Sequence, residues 1–401
     1  MLSLLRTSKS MLRSMKEAMA VAYSIDVRLK TFFSDPQAFR RVQAECNALL
    51  TGSFARAFFA NELMPQRLCI LVDEDGAASI RAFIETNGFP LEKNISLIGP
   101  NNDPLYQEIS ACDMYKCAAN GRLIYLFITT QTGVPLNALL CNSMSTGQLS
   151  FLSWNKAYAL YPRHTFLEKE TYLLQNIRDR LPNTLWRQNM QDFANSGIKA
   201  KGLHWDEDSD PIAGIRRVGD QSTWTIGLNV SNIKLNHRPI PDAILESTSF
   251  AIRPYTPVTH DSFGGHVSRY TMGATKTISS PILKYKYVVH EEPRENPEYQ
   301  SAYFRKLQDI HRSLHDQLRI ELMELPVSSH PAEYQDVMEG RLHMEDLKMD
   351  IIPNGWTYYD DDLVKYLAKL HDDHEKQEAA HGKDRSGYMC RKGPDHGVRP
   401  Q

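Results

Sequence analysis

The sequence predicts an α/β or α+β fold, and three patterns support this prediction. Residues 68–72 form a short apolar run after a helical stretch, which is typical of a strand that packs beside a helix. Residues 122–129 form a second apolar run, as expected for a strand buried on both faces. Residues 297–325 carry leucine and isoleucine at helical spacing, which predicts a long helix. We therefore expect a small mixed sheet packed by helices, followed by a strand-rich and helical extension.

Helical patterns lie on both sides of the first apolar strand. They predict helical stretches over residues 24–50, 54–63 and 77–87, with Asp35-Pro36 breaking or restarting the first. The first two helices would place Gly52-Ser53 at a junction between helices. Gly88 follows the third helix and is its expected C-terminal cap.

The second half of the chain alternates between helical and strand patterns. Residues 134–140 predict a short helix, and residues 168–195 predict a longer helical stretch that Leu181-Pro182 interrupts. Strand patterns follow at residues 214–218, 222–230, 248–253 and 283–289. We interpret this middle part as a smaller, strand-rich appendage.

These patterns divide the chain into four predicted segments. Residues 1–21 are a flexible N-terminal extension, and residues 22–165 are the core. Residues 166–370 are a helical and strand-rich extension. Residues 371–401 are rich in charged residues and histidine, which predicts a disordered polar tail.

The pair Gly52-Ser53 is the strongest candidate site in the sequence. A Gly-Ser turn that opens a helix exposes backbone N–H groups, which are suited to holding phosphate. Such a turn, followed at this distance by the strand at residues 68–72, resembles the core of the polymerase-β-like nucleotidyltransferase fold. The resemblance implies that the strands at residues 68–72 and 122–129 lie side by side, and that the turn lies at the end of the first strand and cradles a nucleoside triphosphate. It also implies that an Asp-x-Asp pair on the next strand holds two Mg²⁺ ions for displacement at phosphorus.

Further blocks of sequence narrow the resemblance to a group of nucleotidyltransferase-like proteins from filamentous fungi. Together the blocks extend over about residues 22–230. They are residues 23–36 with 49–55, residues 134–136 with 143–146 and 153–162, and residues 217–220 with 223–226. In that group the strand after the Gly-Ser turn commonly reads Ser-Asp-Leu-Asp. This chain reads Gln66-Arg67-Leu68-Cys69 instead, so both acidic positions depart from the pattern.

The departure predicts a protein that has lost the metal site. Mg²⁺ prefers oxygen ligands, whereas Arg67 brings a cation and Cys69 brings a soft sulfur. The neighbouring strand offers no replacement, because residues 122–130 contain neither Asp nor Glu. We expect a catalytically inactive binding or scaffold protein that holds a nucleotide through Gly52, Ser53 and Arg67, with a protein as a second possible partner.

The alternative is an active nucleotidyltransferase that uses Mg²⁺ and transfers a nucleotidyl group to a small molecule, protein or RNA. Asp73 and Asp75 recreate the Asp-x-Asp spacing and are the candidate catalytic residues for it. Using them would move the metals several ångströms along the strand, since each strand residue advances about 3.3 Å. We favour a solvated turn at these residues.

Two other groups of polar residues are candidate sites. Ser143, Ser145 and Thr146 could bind the polar edge of a nucleotide, but serine and threonine more often make caps and turns. His311 and His315 are four residues apart on a predicted helix, which is a spacing suited to metal binding. No H-E-x-x-H pattern accompanies them, so we favour half-exposed histidines on a helix surface.

Composition limits the class of protein and its partners. A chain of 401 residues with 42% hydrophobic residues can bury a substantial core. Its net charge of -2 predicts no general nucleic-acid surface and no attraction to an anionic membrane. The six cysteines have no CxxC spacing, which favours reduced thiols in an intracellular protein over disulfides or a zinc site.

The N-terminal residues bear on the location of the protein. No apolar run reaches the roughly 20 residues that span a bilayer, and there is no long apolar segment of a secretory signal. Residues 1–16 contain four basic residues and no acidic residue, which is the composition of a mitochondrial transit peptide. We expect a cytoplasmic protein, with mitochondrial import as the alternative.

Overall fold

The structure is a computed structural model of the chain. It describes residues 21–97, 108–175, 184–202, 212–236, 239–254, 270–292, 301–342 and 355–388, with the single positions 14, 18, 19, 347, 349 and 353. The chain forms two compact units. The first extends to residue 278 and includes residues 285–291, and the second contains residues 279–284 and those from 292 onward. The predicted N-terminal extension lies almost entirely outside the described residues.

The first unit contains all the described strands. In chain order they are β1 (Leu49–Thr51), β2 (Arg67–Val72), β3 (Leu91–Ser96), β4 (Ile109–Lys116), β5 (Leu123–Thr129), β6 (Ser150–Leu152), β7 (Lys156–Ala159), β8 (Glu170–Tyr172), β9 (Lys199–Lys201), β10 (Gly214–Arg217), β11 (Trp224–Gly227), β12 (Ser249–Pro254), β13 (Tyr270–Met272), β14 (Thr275–Ile278) and β15 (Tyr287–His290).

Helices alternate with these strands. In the first unit they are α1 (Ile25–Leu29), α2 (Pro36–Glu45), α3 (Gly52–Ala60), α4 (Glu74–Thr86), α5 (Pro135–Asn142), α6 (Thr184–Asn195) and α7 (Asp242–Glu246). A 3₁₀ turn lies at Thr146–Gln148, and a π-helical turn lies at Arg163–Glu168. This mixture confirms the predicted α+β class.

Eight strands form one mixed sheet, in the order β11-β7-β6-β1-β2-β5-β4-β3. Neighbours in this sheet are antiparallel, except that β2 and β5 are parallel, with Arg67 opposite Leu123 and Cys69 opposite Tyr125. The two apolar runs at residues 68–72 and 122–129 therefore lie side by side, as the sequence predicts. The sheet is larger than the short one expected. Its edge strand β3 and the neighbouring β4 were not predicted.

Helices α1–α4 cover one face of this sheet. Alternate residues of β2 and β5 face them, and the buried side chains on this side include Phe54, Phe58, Leu68, Ile70, Ile80, Ile124 and Leu126. The other face packs against α5 and against strands of the smaller sheet β10-β12-β13. Its buried side chains include Leu49, Leu71, Tyr125, Leu136, Tyr158 and Phe250. The central strand β5 is thus buried on both faces, as its uniform hydrophobicity predicts.

The structure corrects the predicted helix at residues 24–50. The break at Asp35-Pro36 is confirmed, because Asp35 caps a second helix: its Oδ1 accepts hydrogen bonds from the N–H groups of Gln37 (3.1 Å) and Ala38 (3.0 Å). Residues 49 and 50 belong to strand β1, where the ladder with β2 outweighs their helix propensity. Gly52-Ser53 therefore lies between a strand and a helix.

The predicted helical stretch at residues 168–195 is also only partly correct. Residues 170–172 form strand β8, which pairs in parallel with β9. The Leu181-Pro182 interruption lies outside the described residues, and α6 begins at Thr184. The predicted strands at residues 214–218, 222–230, 248–253 and 283–289 are present as β10, β11, β12 and β15.

The second unit is helical. Its helices are α8 (Ala302–Glu324), α9 (Tyr334–Met338) and α10 (Asp360–Tyr388), and α8 packs against α10 through buried leucines. The predicted long helix at residues 297–325 is confirmed by α8. The predicted disordered tail at residues 371–401 is wrong for residues 371–388, which continue α10, and its remainder lies outside the described residues. The predicted boundary at residue 165 does not separate the compact units, since β11 pairs with β7 across it.

Among the described residues, no helix is both long enough and apolar enough to cross a lipid bilayer.

Candidate functional site

The chain makes a sharp corner between β1 and α3. Gly52 begins the helix with φ +69°, a conformation that glycine adopts at little cost. Thr51 pairs with Cys69 of β2, and a Cβ placed on Gly52 would lie 3.5 Å from the Cys69 Sγ. The side chain of Thr51 makes no capping hydrogen bond, so the first N–H groups of α3 have no side-chain cap. The Gly-Ser turn thus lies against the first half of β2, as the sequence predicts.

A small pocket opens at this corner. It has about 200 Å³ of space, including its open side. Its lining residues are Gly52, Ser53, Arg56, Gly147, Gln148, Asn189, Asp192 and Phe193. Ser53 is only 8% exposed, and its hydroxyl has no hydrogen-bond partner within the described part of the chain. A hydroxyl that lines a pocket without a partner in this way is a hydrogen-bonding group available to a ligand.

Arg67, the first residue of β2, is held by helix α6. Its guanidinium forms an ion pair with the carboxylate of Asp192 and donates a hydrogen bond to the side-chain oxygen of Gln188. Both partners lie on one face of α6, since they are four residues apart. The predicted phosphate-binding arginine therefore already has an anion bound to it.

Cys69 lies two residues after Arg67 on the same side of β2. Burial raises the pKa of its thiol to about 11, with Arg67 lowering it and Asp192 raising it further. The thiol is consequently neutral at physiological pH. The two positions where the resemblance implies metal-binding carboxylates thus hold a paired guanidinium and a protonated thiol.

Helix α6 closes the corner with an aromatic side chain as well. The ring of Phe193 packs on Gly147 so closely that a Cβ there would lie 2.8 Å from a ring carbon. The guanidinium of Arg56 lies 5.9 Å from the centroid of the same ring. Arg56 is itself paired with Glu62 at 3.0 Å and donates to the hydroxyl of Ser196 at 2.6 Å. Both guanidinium groups near the corner are therefore neutralised by carboxylates of this chain.

No carboxylate reaches the corner from the strand beside β2. The residues of β5 that lie opposite Arg67 and Cys69 are Leu123 and Tyr125. The buried acidic residue of the sheet, within the described part of the chain, is Asp113 of β4, which the sequence did not point to. It is opposite Leu126 and therefore faces the helices α1–α4, where Arg81 pairs with it at 2.7 Å. Asp113 anchors α4 to the sheet on the face away from Tyr125.

The structure does not bring Asp73 and Asp75 to the corner. Asp73 lies four residues beyond Cys69 along the chain, which is about 13 Å at strand spacing. Its Oδ1 accepts a hydrogen bond from the Gly76 N–H at 2.8 Å, so it caps α4, and Asp75 lies in the first turn of that helix. Burial raises the pKa of Asp73, although the bond from Gly76 opposes the shift. These residues belong to a helix start rather than the solvated turn expected.

Two of the three remaining hydroxyl groups have structural partners, whereas the fully buried Ser145 hydroxyl has none among the described residues. The Ser143 hydroxyl donates to the Leu139 carbonyl at 2.7 Å, and the Thr146 hydroxyl accepts from the Tyr172 N–H at 3.0 Å. The His311 and His315 rings are 4.9 Å apart on α8 in the second unit. Within the described ranges no third metal-binding side chain joins these two histidines.

The sequence analysis missed the part that α6 has in this site. The apolar spacing of Trp186, Met190 and Phe193 indicates a helix, and that helix is present. Nothing local indicates where Gln188 and Asp192 pack, because their partner Arg67 lies more than 120 residues earlier. The sequence shows only that Asp192 is an acidic residue on an amphipathic helix, which does not indicate its partner.

The chain was compared with protein-family models, with curated proteins and with solved structures, and none of the three comparisons found a match.

Proposed function

We propose that this chain is a nucleotidyltransferase-like binding protein, which holds a phosphoryl group at the Gly52-Ser53 corner and does not catalyse Mg²⁺-dependent nucleotidyl transfer. The observation that carries the proposal is the position of Arg67, a paired guanidinium beside the corner at the place where a metal-binding carboxylate is expected. The parallel pairing of β2 with β5 and the pairing of Thr51, just before Gly52, with Cys69 are the features of the fold that support it.

The absence of transfer activity follows from the chemistry of the side chains. Two-metal catalysis needs hard oxygen ligands that hold Mg²⁺ against the reacting phosphate. The described residues at the corner offer two paired guanidinium groups, a neutral thiol and one pocket-lining carboxylate, Asp192, which is already paired. Positioning alone does not replace the two cations, because phosphoryl transfer depends chiefly on electrostatic stabilisation and alignment.

Binding of a phosphoryl group is supported by the donors that remain available. The first N–H groups of α3 have no side-chain cap, and the Ser53 hydroxyl faces the pocket beside them. The Asn189 amide also lines the pocket, and it makes no hydrogen bond to any described residue. Uncapped N–H groups, a hydroxyl and an amide form a donor set suited to phosphate oxygens.

Calorimetry with purified protein tests the binding proposal. We expect ATP to bind in EDTA without added metal, and Ser53→Ala and Arg67→Ala each to weaken it. Arg312→Ala is the matched control, since Arg312 is an exposed arginine of the second unit that pairs with Asp309 at 3.0 Å. Unchanged affinity in Ser53→Ala and Arg67→Ala would place the ligand elsewhere, and no binding at all would reject the proposal.

An assay of pyrophosphate release tests the absence of catalysis. With Mg²⁺-ATP or Mg²⁺-UTP and cell extract as a source of acceptors, we expect no release above a protein-free control. Release that disappears in Asp73→Ala or Asp75→Ala would instead establish an active transferase with relocated carboxylates.

For location we propose the cytoplasm. The five cysteines within the described residues are all free thiols, as expected in a reducing compartment. A fluorescent tag at the C terminus gives the test, and a signal confined to mitochondria would overturn the proposal.

A further inference from the structure

Helix α6 places the carboxylate of Asp192 on Arg67, at the position where the proposed ligand would place a phosphoryl group. Among the described residues, the side chain of Arg67 has two polar partners, Asp192 and Gln188, and both belong to α6. A carboxylate and a phosphate present similar pairs of oxygens to a guanidinium group. Asp192 therefore satisfies Arg67 as a phosphate would.

We propose that α6 is an internal competitor for the phosphoryl site: a ligand binds by exchanging with Asp192 on Arg67, and the exchange moves α6 away from the corner. The inference rests on the proposed function, because it requires that a phosphoryl ligand binds there. It adds regulation of that site, because Arg67 pairs either with Asp192 or with the ligand.

The size of the pocket supports the exchange. Pockets that bind small molecules usually have about 300–1,000 Å³. The corner provides about 200 Å³ even with its open side included, and Asp192 and Phe193 form part of its wall. A nucleotide enters this space only when those two side chains move.

The charges at the corner determine which group the ligand replaces. Arg56 keeps its carboxylate partner, Glu62, which lies outside α6; its second partner, the Ser196 hydroxyl, directly follows α6 beside Gly197. Arg67 loses both of its polar partners when α6 moves, and its positive charge at the start of β2 would then be unpaired. A phosphoryl group compensates that charge without a metal ion.

The chain after α6 provides a position for a hinge. Gly197 follows the helix with φ +68° and precedes strand β9, which pairs with β8. A glycine between a helix and a paired strand can absorb a change in backbone direction. Movement of α6 about this position leaves β9 in its sheet.

The experiment uses the full chain and ATP in EDTA as the probe. Asp192→Asn keeps the size of the side chain and removes its charge, and Gln188→Ala removes the other partner of Arg67. Asp309→Asn is the control, since Asp309 is an exposed carboxylate that pairs with an arginine on α8. Calorimetry gives the affinity, and hydrogen exchange of peptides from residues 184–195 reports on α6.

We expect Asp192→Asn to bind ATP more tightly by roughly 5–150-fold, the range of a typical coupling between sites. Gln188→Ala should shift the affinity in the same direction, and Asp309→Asn should leave it unchanged. ATP should accelerate hydrogen exchange in residues 184–195 of the natural protein.

The outcomes separate this inference from the proposed function. Equal or weaker binding by both Asp192→Asn and Gln188→Ala, with clear binding by the natural protein, overturns the competition and leaves the binding function intact. Tighter binding without faster exchange in α6 overturns the movement. Failure of all these proteins to bind ATP overturns both proposals.

Discussion

Arg67 and Asp192 form an ion pair across 125 residues of sequence, and the pair fixes helix α6 to the first residue of the central strand β2. Their side chains are 13% and 27% exposed, so water screens the pair only in part. The pair is therefore both a tether for α6 and the feature that separates this corner from a metal site.

The tether predicts a measurable coupling between the two side chains. We expect Arg67→Ala and Asp192→Ala each to lower the free energy of unfolding, and the double variant to lower it by less than their sum. The expected coupling is roughly 0.5–3 kcal/mol, the range for residues in direct contact. Urea unfolding of the four proteins gives it. Strict additivity would contradict the ion pair, and the exposed pair Arg312 and Asp309 provides a control cycle with a smaller coupling.

The thiol of Cys69 should be unreactive in the folded protein. With its pKa raised to about 11 by burial, roughly 0.1% of this thiol is ionised at pH 8, against about a quarter for an ordinary cysteine. We expect iodoacetamide to modify Cys69 more than about 100-fold more slowly in the folded protein than in urea. Mass spectrometry of the digested protein measures both rates. Rapid modification at pH 8 would show that the thiol is accessible and ionised.

The ion pair between Asp220 and Arg216 makes stability depend on pH. Burial alone would raise the pKa of Asp220, but the 2.8 Å bonds from Arg216 outweigh it and the net shift lowers the pKa. A lowered pKa in the folded state stabilises the fold above the unfolded pKa, and this contribution disappears as pH falls through the folded pKa. We expect Asp220→Asn to cost about 1.5–3 kcal/mol at pH 7.

The test is chemical unfolding of both proteins between pH 7 and pH 3. The difference in free energy should decrease below about pH 4, where the unfolded carboxyl takes up its proton. A difference that is constant over this range would show that the charge of Asp220 does not contribute. Asp309→Asn is again the control, and it should follow the natural protein at every pH.

The contact of Phe193 with Gly147 predicts a steric effect. A methyl group on Gly147 would lie 2.8 Å from a carbon of the Phe193 ring and from the Thr171 Oγ1. We expect Gly147→Ala to cost about 1–3 kcal/mol, as for other overpacked sites. Thermal and urea unfolding measure the loss, which should be accompanied by faster hydrogen exchange in α6.

The matched control for this substitution is Gly227→Ala on the edge strand β11. A Cβ at Gly227 would have no atom of another residue within 4 Å. The control variant should therefore keep nearly its full stability. Equal losses for the two variants would show that the packing of Phe193 is not the cause.

The centre of the fold could be predicted from the sequence because its signals are local. The apolar run at residues 68–72 predicts a strand by itself. The run at residues 122–129, which is buried on both faces, does so as well. Strands β3 and β4 gave no such signal. β3 is an exposed edge strand with charged residues, and β4 contains the buried Asp113, whose partner Arg81 lies on a helix.

The residues of the site also differ in whether a local sequence pattern indicates them. Gly52 and Ser53 are adjacent in sequence, so their corner against β2 could be predicted from a short motif and a strand. The partners of Arg67 come from α6, and an ion pair over such a separation leaves no pattern in a single sequence. The caps are intermediate cases, since Asp35 and Asp73 precede helices but their capping role depends on the helix starting at the next residue.

The closure of the corner by α6 also determines when the site is completed during synthesis. The Gly-Ser turn joins strand β1 to helix α3 within residues 49–60, whereas α6 begins at Thr184. At about 5–20 residues per second, the ribosome delivers α6 on the order of 10 s after the turn. Until then Arg67 has no anionic partner from α6, and the part of the pocket wall that Asn189, Asp192 and Phe193 form is not yet present.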